Sequence, residues 1–192
     1  RKWLAENTNP RQVTGSLKEG LKGADVFIGV SSGNLLEPSD IETMADDAIV
    51  FALANPTPEI SYEEAKAANP EVLMSTGRTD YPNQINNVLA FPYIFRGALD
   101  THATAINGAM ELAATRAIAA LAKQPVPDYV NEAYGTTGLT FGPDYFIPKP
   151  VDRRLIVEVS TAVARAAIES GVARHTITDW DAYAEHLTSL LD

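Results

Sequence analysis

Three short apolar runs, each preceded by a helix-start signal, organise the first half of the chain. The runs are Asp25–Val30, Ala48–Ala54 and Val72–Thr76. Their length, and the Gly, Ser, Asn or Pro that follows each, are typical of buried strands. A Ser-x-x-Glu pair with the spacing of a capping box comes before each run, at Ser16, Ser39 and Ser61. Buried strands that alternate with helices predict an α/β fold with a parallel sheet whose two faces are covered.

The second half of the chain has helical periodicity. The predicted helices are Asn83–Ala90, Tyr93–Leu99, Ala103–Lys123, Leu155–Ser170 with a stop at Gly171, and a last helix capped by Thr178 and running through Leu191. The segment Gln124–Pro150 contains five Pro and three Gly and is predicted to be a long loop. Three strands are few for a doubly wound sheet. We therefore predict a partial Rossmann-type parallel sheet, made of its later strands and followed by C-terminal helices.

Composition excludes several classes of function. Fifteen Lys and Arg against 25 Asp and Glu give a formal net charge of −10, which disfavours binding to nucleic acid or to an anionic membrane. The longest apolar run, Ala48–Ala54, is too short to cross a bilayer. The chain has no Cys, which removes thiol chemistry and is compatible with the cytoplasm. Because the sequence begins with Arg1 rather than Met, we expect a longer parent protein.

Polar residues follow each predicted strand. They are Ser31–Gly33, Asn55–Glu59 and Gly77–Asp80. Because ligands bind at the carboxyl ends of strands in open parallel sheets, these segments are expected to converge on one crevice. The amide-rich segment Asp80–Asn87 comes next, and neutral amides suit a carboxylate, a hydroxyl or a carboxamide.

Each of these residues also has a purely structural interpretation. Asn55 before Pro56 is a common strand stop, and Asn83 suits a helix cap. Arg78 and Asp80 are close enough to form a local ion pair, and Arg96 is open to a structural role. Asn86 and Asn87 are predicted to lie within a helix, where Asn is a poor helix former, so we expect at least one to face a polar group. The sequence lacks the glycine-rich dinucleotide and Walker motifs.

Three segments carry a resemblance to a known family. Ala24–Ser31, Phe51–Ile60 and the long, specific segment Ser75–Asp100 resemble the bacterial short-subunit malic enzymes, and the similarity continues through Tyr145–Pro148 and Gly171–Arg174. Malic enzymes oxidise L-malate with NAD or NADP and decarboxylate the product to pyruvate, with Mg or Mn as Lewis acid. The resemblance implies the same reaction for the whole protein that contains this chain.

The resemblance assigns roles to individual residues. It implies that Asn55 and Asn86 bind malate, that Asn87 lines the same pocket, and that Asn55 also lies near the nicotinamide. Val30 and Ser31 correspond to positions that contact the ribose and adenine side of the cofactor. The family's catalytic Tyr and Lys, its metal ligands and its pyrophosphate turn precede Arg1, so catalytic residues in this segment are unknown and no metal ligand is expected in it.

The same resemblance predicts the domain organisation. Residues 1–124 are expected to be the C-terminal part of an NAD(P)-binding Rossmann-type domain. Residues 125–192 are expected to be a loop and helices that pack toward a catalytic domain. We expect the remaining N-terminal part of the enzyme as a partner and a homo-oligomer as the assembly, and we expect the segment alone to be inactive. Two alternatives stay open: a non-catalytic half-Rossmann assembly module that needs a partner chain, and another amide-lined Rossmann enzyme such as an amino-acid dehydrogenase.

Overall fold

The chain forms two compact units, which are described separately. The computed structural model describes residues 2–191, and the units are Arg1–Tyr81 and Pro82–Asp192. From its sequence the chain is divided by function after residue 124, and that division stays a prediction. No helix within residues 2–191 has both the length and the apolar character needed to cross a bilayer.

A three-stranded parallel sheet forms the centre of the first unit and confirms the predicted α/β fold. The strands are β1 (Val26–Gly29), β2 (Ile49–Ala52) and β3 (Leu73–Thr76), in the spatial order β1-β2-β3. Val26 pairs with Ile49, and Ile49 pairs with Leu73. Because each connection passes to the next strand in the same direction, the right-handed crossover rule brings the intervening helices to one face.

Short helices precede and separate the strands. They are α1 (Lys2–Asn7), α2 (Leu17–Leu21), α3 (Pro38–Glu42) and α4 (Tyr62–Ala68). The capping boxes predicted at Ser16 and Ser61 are both formed. The box predicted at Ser39 is wrong, because Pro38 takes the first helical position and Glu37 becomes the N-cap residue. The Glu37 N–H donates to Asp40 Oδ2 at 2.8 Å.

One face of β1 is uncovered, which corrects the prediction that it is buried on both faces. The inward side chains of the sheet, including Phe27, Val50 and Met74, form one core with residues of α2, α3 and α4. On β1 the outward side chains Val26 and Ile28 are exposed, Ile28 by 62%. Both faces of the edge strand β1 therefore carry apolar side chains, although only one face packs against the core of its unit.

The second unit is helical and is organised around one long helix. Its helices are α5 (Phe91–Asp100), α6 (Gly108–Leu121), α7 (Asp128–Ala133), α8 (Arg154–Glu169) and α9 (Trp180–Ser189), with a 3₁₀ turn at Asn87–Leu89. Helix α8 packs against α5, α6 and α9. Its buried face supplies Leu155, Val159, Val163 and Ala167 to the core. The predicted stop at Gly171 is confirmed by its φ of +73°.

Four predictions in this unit need correction. The helix predicted over Asn83–Ala90 is reduced to the 3₁₀ turn, and α6 begins after Asn107 rather than at Ala103 because Asn107 Oδ1 accepts the Met110 N–H. Helix α7 lies inside the segment predicted to be a loop. Helix α9 starts one residue later than predicted, with Asp179 in place of Thr178 as the cap.

Helices α5 and α8 approach each other closely at Gly97. A Cβ atom on Gly97 would lie 2.6 Å from the Ser160 carbonyl oxygen and 3.0 Å from the Ala164 nitrogen. Both of these atoms belong to the α8 backbone, which cannot move aside as a flexible side chain can. The absence of a side chain at Gly97 is therefore a condition of the packing between the two helices.

We expect Gly97→Ala to destabilise the second unit by about 1–3 kcal/mol, the usual cost of overpacking a close contact. Gly108→Ala is the matched control, because a Cβ there meets nothing within 4 Å. Urea unfolding would be followed by Trp180 fluorescence in a Trp3→Phe background, in which only α9 carries a Trp. Equal stability of the two Ala variants would contradict the close approach.

Asn83 connects the start of the second unit to a later loop. Its side chain is buried, Nδ2 donates to the Pro143 carbonyl at 2.6 Å, and Oδ1 accepts the Phe146 N–H at 2.9 Å. Its φ is +53°, in the left-handed region that Asn tolerates better than most residues. Asn83 is thus a structural residue, although it bonds a distant loop rather than capping a helix.

Replacement of Asn83 by Ala is expected to cost about 1–3 kcal/mol, because two partly buried backbone groups, the Pro143 carbonyl and the Phe146 N–H, lose their hydrogen-bond partner. Asn83→Gly separates the two causes, since Gly removes the same hydrogen bonds but accepts the positive φ without strain. Both variants would be compared by the same Trp180 unfolding assay. If Gly restored full stability, backbone conformation and not the hydrogen bonds would be the source of the effect.

Candidate functional site

The carboxyl end of β1 carries the two residues predicted to contact the cofactor. Val30 is 74% exposed and Ser31 is also exposed, so both are accessible to a ligand. The Ser31 N–H is already engaged, because it donates to Glu59 Oε1 at 3.1 Å. Ser31 can therefore offer a ligand its hydroxyl group but not its backbone donor.

Glu59 is a central residue of this edge that the sequence reasoning did not single out. It is completely buried, and its other oxygen, Oε2, accepts the Ala54 N–H at 3.0 Å. One carboxyl group thus bonds the backbone at Ser31, two positions after β1, and at Ala54, just before Asn55. The available signal was an acidic residue between Pro58 and Ile60, in a stretch otherwise apolar enough to be buried.

Asn55 lies at the carboxyl end of β2 and is exposed. Its Nδ2 donates to the Leu53 carbonyl at 3.2 Å, and the peptide bond to Pro56 is cis. The amide also lies against the end of β3, since a Cβ on Gly77 would be 3.1 Å from both Asn55 Nδ2 and Oδ1. The expected meeting of strand ends is therefore observed for Asn55 and Gly77 within the first unit.

The loop after β3 is held by its own charged residues. Arg78 forms a double hydrogen bond with Asp80, Nε to Oδ1 at 2.9 Å and Nη2 to Oδ2 at 2.6 Å. This arginine lowers the pKa of Asp80. Tyr81 donates from its hydroxyl to Glu63 of α4 at 2.9 Å, and the Arg78 guanidinium lies over the Tyr81 ring. The interpretation of Arg78 and Asp80 as a local ion pair fits this geometry.

Asn86 and Asn87 lie at the start of the 3₁₀ turn, not inside a helix as predicted. Asn86 is the N-cap residue, and its Oδ1 accepts the Val88 N–H at 3.0 Å. Both side chains are exposed. Within residues 2–191 the Asn86 Nδ2 has no acceptor, so the cap fixes the side chain while its NH₂ group stays available to a ligand.

Arg96, the other arginine next to the amide-rich segment, is also occupied. It pairs with Asp100 one turn later, Nε to Oδ2 at 2.8 Å and Nη2 to Oδ1. The Tyr183 hydroxyl of α9 donates to the same Asp100 Oδ2 at 2.7 Å, and burial of this tyrosine raises its pKa. Arg96 is therefore paired within its own unit, and through Asp100 it is connected to α9.

The donor set fits a dinucleotide at the strand ends but does not fit a metal. Exposed apolar and hydroxyl groups at Val30 and Ser31 suit an adenosine, and the exposed amide of Asn55 suits a carboxamide. By contrast, residues 2–191 contain no group of three or more His, Asp or Glu side chains that could hold a metal ion. No step through a metal can be assigned to the residues described.

Sequence comparison relates the chain to one family of known proteins. Residues 7–133 match the family model of the malic enzyme NAD-binding domain. The chain is 53% identical over 175 residues to an NADP-dependent malic enzyme of Haemophilus influenzae, covering 91% of this chain and 23% of that protein. It is 52% identical over 171 residues to an NAD-dependent malic enzyme of Rhizobium meliloti, covering 89% of this chain and 22% of that protein.

Solved structures show the same relationship in three dimensions. The malic enzyme of Pyrococcus horikoshii superposes on this chain with a TM-score of 0.84 and 41% sequence identity, covering all of this chain and 40% of that one. The chain thus spans only 22% to 40% of the length of these three proteins. Its family model, its sequence relatives and its fold agree, and the chain belongs to the malic enzyme family, with residues 7–133 matching the NAD-binding domain.

Proposed function

We propose that this chain is the part of a malic enzyme that supplies cofactor contacts and malate-binding amides for the oxidative decarboxylation of L-malate to pyruvate and CO₂. The observation that carries the proposal is the exposed carboxyl edge of the sheet, with Val30, Ser31 and Asn55 accessible, in a chain about half identical to malic enzymes. When bound, NAD(P) supplies the hydride acceptor. The relatives include both NAD-dependent and NADP-dependent malic enzymes.

The residues of this chain have binding and orienting roles in this proposal. Val30 contacts the adenosine side of the cofactor, Ser31 offers its hydroxyl to the ribose, and Asn55 contacts the nicotinamide and malate. Asn86 donates from Nδ2 to an oxygen of malate, a role supported by its fixed cap and free NH₂ group. Asn87 contacts malate beside it. The remaining N-terminal part of the enzyme supplies the catalytic Tyr and Lys and the ligands of Mg or Mn.

The whole protein is proposed to be a cytoplasmic homo-oligomer. Support for a larger protein comes from the relatives, of which this chain covers about 23% in the Haemophilus influenzae enzyme. The uncovered outer face of β1, with Val26 and Ile28 exposed, supports contact with a further segment. The same observation favours the second candidate, a non-catalytic assembly module that only docks on a partner chain.

An activity assay separates the two candidates. We expect the full-length gene product to form NADH or NADPH from malate in the presence of Mn²⁺, with pyruvate in equal amount. The isolated 192-residue segment should show no turnover under the same conditions. A full-length product that binds its partner but shows no malate-dependent reduction of either cofactor would favour the assembly module.

Two substitutions at Asn86 test its role, with different effects on the local structure. Asn86→Asp keeps the oxygen that caps the Val88 N–H but removes the NH₂ donor and adds a negative charge, whereas Asn86→Ala removes both. Loss of a hydrogen bond to a charged ligand predicts that KM for malate rises about 10- to 100-fold in both variants. Because its new carboxylate repels malate, the Asp variant should be the more impaired.

The control for these variants is the cofactor. KM for NAD(P) should change by less than about threefold, because Asn86 is proposed to contact malate alone. The free energy of unfolding of the Asp variant should equal that of the parent protein, since the cap is retained. An unchanged KM for malate in both variants would refute the assignment of Asn86.

A further inference from the structure

We propose that Glu59 is a positioning residue, whose buried carboxyl group sets the separation of the two loops that carry Ser31 and Asn55. The proposal rests on the proposed function, since it gives those loops their cofactor role. Glu59 itself contacts neither the cofactor nor the substrate. It acts through the backbone of the two loops that are proposed to contact them.

Glu59 connects the two loops through its side chain and through its backbone carbonyl group. Its side chain accepts the Ser31 N–H at 3.1 Å and the Ala54 N–H at 3.0 Å. Its own carbonyl oxygen accepts the N–H groups of Leu35 and Leu36 at 2.8 and 2.9 Å. The loop after β1 is thus fixed at Ser31 and again four residues later, and both connections lead to the segment that follows Asn55.

The sheet has space for this carboxyl group because of Gly29. A Cβ atom on Gly29 would fall on the Glu59 carboxyl group, well inside van der Waals contact. The last residue of β1 therefore has no side chain at the point where Glu59 enters. Gly33 leaves similar room in the same loop, since a Cβ there would lie 2.6 Å from the Thr57 carbonyl oxygen.

Burial of an acidic side chain indicates a specific role. Glu59 is completely buried, and none of the ion pairs formed within residues 2–191 includes it. Its carboxyl oxygens accept from two backbone N–H groups. A buried carboxyl group contributes less to stability than an apolar side chain of similar size, but it can hold two donors at a fixed spacing. Hydride transfer depends on such spacing, because small displacements of the reacting groups reduce the rate strongly.

Glu59→Gln tests the proposal with little change in shape. Gln provides only one side-chain oxygen, so its NH₂ group must face one of the two backbone donors and release one loop. In the full-length protein we expect kcat to fall about 10- to 100-fold and KM for NAD(P) to rise. Hydrogen exchange should become faster in the peptides that contain Ser31 and Ala54.

Glu64→Gln is the matched control. Glu64 also accepts a backbone N–H, that of Ser61 at 3.3 Å, but it does so at the start of α4 and joins no loops of the strand ends. Because Gln at this position still offers an oxygen to the Ser61 N–H, Glu64→Gln should leave kcat and both KM values unchanged. If Glu59→Gln also leaves kcat and both KM values unchanged, Glu59 is structural and the proposal is overturned.

A second variant and a binding measurement cover the remaining outcomes. If Glu59→Gln does not fold, Glu59→Asp takes its place, because Asp keeps both oxygens with a shorter reach and should show the same fall in kcat. Parental kinetics in the Asp variant would overturn the proposal.

Binding of NAD(P)H separates this proposal from the proposed function. If the parent protein binds NAD(P)H but does not oxidise malate, the proposed function fails alone. Weaker NAD(P)H binding by Glu59→Gln than by Glu64→Gln then supports the positioning role, and equal binding, or no binding by the parent protein, overturns it.

Discussion

The carboxyl edge of the sheet in the first unit is held by a buried carboxyl group that bonds the backbone after two neighbouring strands. Parallel strands end at the same edge of a sheet, but their following loops diverge unless something joins them. Glu59 supplies that connection through the N–H groups of Ser31 and Ala54. These two N–H groups lie beyond the paired residues of the sheet and would otherwise need water as a partner. One side chain therefore satisfies both donors and keeps the two loops together.

The groups proposed to bind the ligand are neutral amides and a hydroxyl. The chain has a net charge of −10, yet a dicarboxylate substrate is proposed for it. Two arginines close in sequence to the candidate amides are each paired, Arg78 with Asp80 and Arg96 with Asp100. These ion pairs hold the β3 loop and connect α5 to Tyr183. A neutral amide can still donate to an anion without an opposite charge of its own.

The features predictable from the sequence were those that depend on neighbouring residues. The capping boxes at Ser16 and Ser61, the three strands and the Gly171 stop each need only a few adjacent positions, and all are observed. The box at Ser39 failed locally too, because Pro38 competes for the helix start. Asn83 and Glu59 could not be assigned in this way. Asn83 bonds Pro143 and Phe146, 60 and 63 positions away, and Glu59 bonds Ser31, 28 positions away.

The amide-rich segment illustrates the limit of both periodicity and composition. Its apolar spacing suggested a helix, but the backbone instead turns at Asn83 with positive φ and forms only the short turn begun by Asn86. This departure from a helix has a consequence for binding. In a helix interior the side-chain oxygen of Asn86 would have no backbone donor to cap, and its rotamer would be free. As an N-cap residue, Asn86 uses its oxygen for the protein and leaves its nitrogen for a ligand, so the residue is oriented before any ligand arrives.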